Sequence, residues 1–137
     1  MNTLFAPTEN KHWMLVDDNA ELLSLLAALA GNLTDAEVEC FNSPQDALAA
    51  FAAAPEKYNV VITDYEMPGM DGVELCRRML TISPAQKIFL ATGSGFFTEA
   101  AARHAGFSGL LNKPFPVKKL HEALVQAGVE MGLPAHA

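Results

Sequence analysis

Four short apolar runs in this chain stop in the same way, on a polar residue that opens a loop or a helix. Trp13-Met14-Leu15-Val16 runs into Asp17 and Asp18, and Asn59-Val60-Val61-Ile62-Thr63 into Asp64. Lys87-Ile88-Phe89-Leu90-Ala91 ends at Thr92, and Ser108-Gly109-Leu110-Leu111 lies just ahead of Lys113. Apolar runs without alternation are what strands covered on both faces look like. The segments between them carry helical spacing, the βαβ pattern of a parallel sheet wrapped by helices. In such open sheets ligands bind beyond the carboxyl ends of the strands. The spacing therefore predicts that carboxylates, a hydroxyl and an ammonium meet at one sheet edge.

The intervening segments fit that plan. A first helix is predicted over about Ala20 to Ala30, with Leu22, Leu23, Leu25, Leu26 and Leu29 as a broad apolar face and Gly31 as its C-cap. Glu37-Val38-Glu39-Cys40-Phe41 alternates and reads as an edge strand. Ser43 and Pro44 supply an N-cap and a first-turn proline for a second helix, which turns Ala47, Leu48 and Phe51 inward and ends by Pro55. Tyr65-Glu66-Met67-Pro68-Gly69-Met70-Asp71-Gly72 is too rich in breakers to be helix, and a third helix follows over about Val73 to Leu80. Gly93-Ser94-Gly95 opens a loop before a short Ala-rich helix to about His104. The last helix starts near Pro116 or Val117, with Leu120, Leu124 and Ala127 on one face.

At 137 residues, half of them hydrophobic, the chain is sized for one globular domain. We divide it into a lead-in over 1–11, a folded domain over 12–131 and a tail over 132–137. The net charge of -7 argues against sequence-independent nucleic-acid binding, which needs clustered Lys and Arg. No run approaches the roughly 18 apolar residues of a membrane span, and the first dozen residues lack the pattern of a secretory signal. Cys40 and Cys76 have no metal-type spacing and read as small apolar fillers kept reduced in a cytosol. His12, His104, His121 and His136 show no ligand spacing and read as surface groups.

Taken singly, each polar strand end has an ordinary explanation: Asp17 and Asp18 as helix caps, Asp64 as a turn residue, Thr92 as a strand end, Lys113 as a solvated lysine. Taken together they point to phosphoryl chemistry. Clustered carboxylates raise one another's pKa unless a cation intervenes, and an all-oxygen site with open positions suits Mg2+. A carboxylate beside such a metal and a lysine can attack phosphorus and form an acyl phosphate, with the lysine neutralising the transferred oxygens. Lys113 precedes Pro114, and an X-Pro bond has an accessible cis form that turns the lysine back over the edge.

Leu15-Val16-Asp17-Asp18, Val60 through Gly72, Ala91-Thr92-Gly93 and Lys113-Pro114-Phe115 together give the chain its likeness: from Trp13 to about Val129 it resembles a response-regulator receiver domain of two-component signalling, the chemotaxis-regulator-like kind. The resemblance implies an α/β fold, a three-layer (βα)5 flavodoxin-like doubly wound parallel sheet with strand order 2-1-3-4-5. It implies that Asp64 accepts a phosphoryl group from a histidine kinase or histidine phosphotransfer protein, without substrate turnover. It also implies that Asp17, Asp18, Asp64 and the backbone carbonyl of Glu66 hold Mg2+, that Thr92 and Lys113 contact the phosphoryl oxygens, and that the Lys113-Pro114 bond is cis. A cytoplasmic setting follows from the same likeness. So does a downstream protein partner on the surface of the fourth helix, fifth strand and fifth helix, with no direct nucleic acid, no membrane insertion and room for a homodimer.

Two positions depart from the commonest family pattern. Leu110, three before Lys113, stands where receivers usually carry a switch aromatic that turns inward as the Thr hydroxyl moves to the phosphate. That puts the usual relay in question and predicts a muted change or a contact that needs no ring. Glu66, two past Asp64, stands where such domains often carry Asn or another residue that tunes the hydrolysing water, and predicts a long-lived phosphoryl group, by repelling attack or by pairing with Lys113. Of Phe96 and Phe97 at least one is expected in the core; the other could face the surface of the fourth helix, fifth strand and fifth helix. The rival reading from another class is a small aspartate-nucleophile phosphohydrolase, since Asp64-Tyr65-Glu66 loosely mimics an acidic pair after a strand. A flavodoxin-like nucleotide binder is disfavoured because Asp17 and Asp18 occupy the loop where a phosphate cradle is needed.

Overall fold

The structure, a computed structural model, describes residues 12–93 and 95–129. The expected lead-in over 1–11 and tail over 132–137, with His136, lie outside the described residues. Strands β1 (His12–Val16), β2 (Glu37–Phe41), β3 (Tyr58–Asp64), β4 (Ile88–Thr92) and β5 (Gly109–Asn112) form one sheet in the order β2-β1-β3-β4-β5. Every pairing is parallel. Helices α1 (Ala20–Gly31), α2 (Pro44–Ala53), α3 (Gly72–Ile82) and α4 (Glu99–His104) make the crossovers, and α5 (Val117–Gln126) follows the last strand. This is the three-layer architecture and strand order expected from the sequence.

The period-two geometry of a strand divides the core. Trp13 and Leu15 of β1 pack with Val60 and Ile62 of β3 against Leu23 and Leu26 of α1 and Leu120 and Leu124 of α5. Met14 and Val16 point the other way, with Val61, Ile88 and Leu90, against Phe51 of α2 and Leu75 and Met79 of α3. The central strands are buried on both faces, which is why their sequences do not alternate. Edge strand β2 is only half-covered, and it does alternate.

Local chemistry sets most boundaries. Ser43 accepts from the Asp46 N–H at the start of α2, with Pro44 in the first turn. Asp71 does the same for α3 through the Glu74 N–H at 2.9 Å, so that helix begins at Gly72 and runs to Ile82, beyond the predicted 73–80. In α1, Gly31 is the last helical residue and Asn32 is the C-cap. Leu25 is 56% exposed and does not belong to the buried face, which is Leu23, Leu26 and Ala30. Leu23 and Leu26 are three apart and Leu25 falls outside their stripe. Pro55, read as a terminator, opens a short 3-10 turn to Lys57 before β3. Cys76 is buried as expected, but Cys40 is exposed, on the edge strand where it borders an open cleft beside α1. Among the described residues no helix is long and apolar enough to cross a membrane.

Candidate functional site

Parallel register brings the strand ends together. Val16 of β1 pairs with Thr63 of β3, Asp64 with Ala91 of β4, and Thr92 with Asn112 of β5. Two backbone bonds extend the ladder past the last paired residues: Asp17 N–H donates to Phe41 C=O at 3.1 Å, and Lys113 N–H donates to Thr92 C=O at 2.9 Å. Asp64 and Thr92 are the final residues of their strands and Asp17 and Lys113 follow theirs directly. All lie along one edge.

The side chains close on one another across that edge. Carboxylate oxygens of Asp17, Asp18 and Asp64 lie within 4.8 Å of each other. Lys113 Nζ donates to Asp17 Oδ2 at 2.7 Å and to Asp64 Oδ1 at 3.1 Å, so it is the cation that links first, third and fifth strands. Helix capping does not account for the acidic pair. Asn19 is the N-cap of α1 and accepts from Leu22 N–H, while Asp17 Oδ1 accepts from Asn19 N–H at 2.9 Å and so braces the cap from behind. Asp17 is buried, Asp64 half-buried and Asp18 exposed.

Burial and the Asp17 charge push the Asp64 carboxyl up from its ordinary value, and the Lys113 hydrogen bond only partly offsets them. Burial pulls the Lys113 ammonium down, but hydrogen bonds to Asp17 and Asp64 outweigh it and the net direction is up. Three carboxylates against one ammonium leave an all-oxygen donor set with a surplus of negative charge. That chemistry fits a hard divalent cation such as Mg2+. Glu66 is exposed in the loop beside it. Lys113 gives its ammonium to Asp17 and Asp64, not to Glu66, so of the two roles offered for Glu66 the pairing with Lys113 is not the one formed here.

The loop after Asp64 is shaped by its glycines. A Cβ on Gly72 would stand 2.2 Å from the Asp64 carbonyl oxygen, so only glycine lets α3 start against the end of β3. Gly72 N–H donates to Tyr65 C=O at 2.8 Å and closes that turn. Gly69, with φ of +88°, takes the left-handed turn between the buried anchors Met67 and Met70. The Lys113-Pro114 bond is cis, as expected.

Sequence reasoning missed an aromatic cluster over this edge. Tyr65, next to Asp64, meets Phe97 edge-on with ring centroids 4.9 Å apart, and Phe96 meets both, at 6.4 Å from Tyr65 and 5.8 Å from Phe97. Aromatic pairs of this kind contribute about 0.5–1.5 kcal/mol each beyond burial. Phe97 packs against the core as predicted for one of the pair. Phe96 is 75% exposed, yet it lies with Asp18, Tyr65 and Glu66 around the cleft beside the acceptor loop, away from the groove between α4, β5 and α5. Leu110 is half-buried in that groove, and its N–H donates to Glu99 Oε1 at 3.3 Å. The missed signal was the aromatic at 65, which only acquires meaning once Phe96 and Phe97 fold back over it.

Residues 14–125 match the family model described as the response regulator receiver domain. The chain belongs to that family. This receiver is 32% identical over 114 residues to the C4-dicarboxylate transport transcriptional regulatory protein DctD of Rhizobium meliloti, covering 82% of the chain and 24% of DctD. It is 30% identical over 129 residues to the transcriptional regulatory protein FixJ of Bradyrhizobium diazoefficiens, covering 93% of the chain and 61% of FixJ. It spans about a quarter of the length of the first curated relatives it matches, at 24% and 27%. A solved receiver domain from Clostridium thermocellum superposes with a TM-score of 0.77 at 26% identity, covering 85% of this chain and 93% of that one. Its architecture is thus the receiver fold, and receivers as a family act in two-component signalling as phosphoryl acceptors rather than as turnover enzymes.

Proposed function

We propose that this receiver takes a phosphoryl group from a phosphohistidine onto Asp64. An Asp64 carboxylate oxygen attacks the phosphorus, an acyl phosphate P–O bond forms, and the P–N bond breaks with its electron pair leaving on the imidazole nitrogen of the donor. Lys113, already 3.1 Å from Asp64 Oδ1, is placed to meet the transferred oxygens, and Thr92 at the neighbouring strand end adds a hydroxyl donor. Asp17, Asp18, Asp64 and the backbone carbonyl of Glu66 would hold Mg2+, which when bound neutralises charge on the phosphoryl oxygens. The observation that carries this reading is the placement of Asp64 between the Lys113 ammonium and two further carboxylates at the sheet edge.

The donor is a histidine kinase or a histidine phosphotransfer protein in the cytoplasm, and the phosphorylated form binds a downstream protein through the face of α4, β5 and α5. Glu66 beside the site slows hydrolysis of the acyl phosphate. The test separates stoichiometric acceptance from turnover. With Mg2+ and phosphoramidate, one phosphoryl group per chain, released by hydroxylamine, supports the reading. Steady release of many equivalents of phosphate from simple phosphomonoesters would instead establish an aspartate-nucleophile phosphohydrolase.

A further inference from the structure

We propose that the contact between Tyr65 and Phe97 is the element through which phosphorylation of Asp64 reaches α4, in place of the ring that Leu110 cannot supply. The inference rests on the reading of Asp64 as acceptor. Tyr65 is the residue after Asp64, so a charge change on that carboxylate acts one peptide away from its ring. Phe97 stands immediately before Thr98, which caps α4 by accepting from Ala101 N–H at 3.0 Å. Phe97 also packs on the cluster that contains Ala102, the fully buried residue in the first turns of α4. A hydrophobic residue just before the cap, packed on one a turn inside, fixes the angle at which the chain enters a helix. Any movement of the Phe97 ring is therefore a movement of the α4 start.

The two rings meet edge-on, at 72° between planes, and Phe96 completes the triangle. Tyr65 and Phe97 are both seated on the core cluster, and packed core contacts move between discrete arrangements rather than deforming continuously. Leu110 reaches the same region from β5, but an aliphatic side chain has no edge or face to re-pair, and its backbone N–H is tied to Glu99. The route from acceptor to α4 thus runs through the β3–α3 and β4–α4 loops rather than through β5.

The test uses the whole chain with Mg2+ and beryllofluoride as the phosphoryl mimic, read by backbone amide shifts. In wild type, amides of 64–66 and of α4 are both expected to shift. Phe97→Leu should leave the response at 64–66 intact and cut that of α4 by about threefold or more, the signature of a lost coupling rather than lost binding. Leu110→Ala should leave both in place. Tyr65→Leu attacks the same contact from its other side and should reproduce Phe97→Leu, which keeps the test decisive if one variant folds poorly. Full α4 shifts in either ring variant, or their loss in Leu110→Ala, would overturn the relay. A silent α4 in wild type with a responding 64–66 would overturn it too. Absence of any response at 64–66 would overturn the acceptor reading itself.

Discussion

Lys113 reaches across the sheet edge to place its ammonium 2.7 Å from the buried carboxylate of Asp17, 96 residues earlier in the chain. This contact ties the end of the first strand to the end of the last, and it offsets a charge that the fold has taken out of water. Removing one partner of such a pair leaves the other buried and uncompensated.

Lys113→Ala is therefore expected to lower stability at pH 7 by about 1–3 kcal/mol, seen as a lower midpoint in urea unfolding. The folded ammonium has its pKa raised, so its contribution is fully present below the ordinary lysine value and is lost as pH rises through the folded one. Wild type and variant should accordingly converge as pH rises past the raised pKa of the folded ammonium. An unchanged gap there would mean that the lysine acts through packing instead.

Asp64→Asn should have the opposite effect in the absence of divalent metal. Burial and the Asp17 charge raise the Asp64 pKa, so the folded state resists its ionisation, and that stabilisation is lost as pH rises through the folded value. At pH 7 a neutral amide should lift the thermal midpoint by a few degrees and abolish most of the further stabilisation by Mg2+. Calorimetry with and without the metal checks both arms; a lower midpoint in the metal-free variant would contradict the charge argument.

Much of this edge was legible in the chain because strands of a parallel sheet report their burial directly. Trp13 to Val16 and Val60 to Ile62 do not alternate, and Asp17 and Asp64 mark where the apolar runs stop. What was not legible depends on orientation across the fold. Leu25 looks as apolar as Leu26 yet faces water, and Phe96 looks like a core ring yet is 75% exposed. The Tyr65–Phe97 contact has no local signature, since it arises only when the turns after β3 and β4 are brought together.

At the opposite end of the sheet, Tyr58 O–H donates to Glu39 Oε1 at 2.8 Å and Lys57 pairs with Glu39 at 2.7 Å. Burial raises the Glu39 pKa, but these partners outweigh it and the net direction is down. The resulting stability is present above the ordinary glutamate value and lost as pH falls through the folded one. Tyr58→Phe should cost about 1–2 kcal/mol at pH 7 and distinctly less at pH 2.5. Urea midpoints at the two pH values check it, and equal costs would place the loss in packing.

Glu66→Asn should shorten the lifetime of the phosphorylated form by removing a carboxylate from the cleft that attacking water must cross. Single-exponential loss of phosphate from purified phosphoprotein should accelerate several-fold. An unchanged or slower decay would show that Glu66 does not protect the acyl phosphate.

The central claim, that Asp64 is the acceptor of a phosphoryl group, is tested most directly by intact mass after incubation with Mg2+ and phosphoramidate. Wild type should gain the mass of one phosphoryl group, and Asp64→Ala, with its fold verified by circular dichroism, should gain none. An unmodified wild type, or a variant that gains the same mass, would contradict the account.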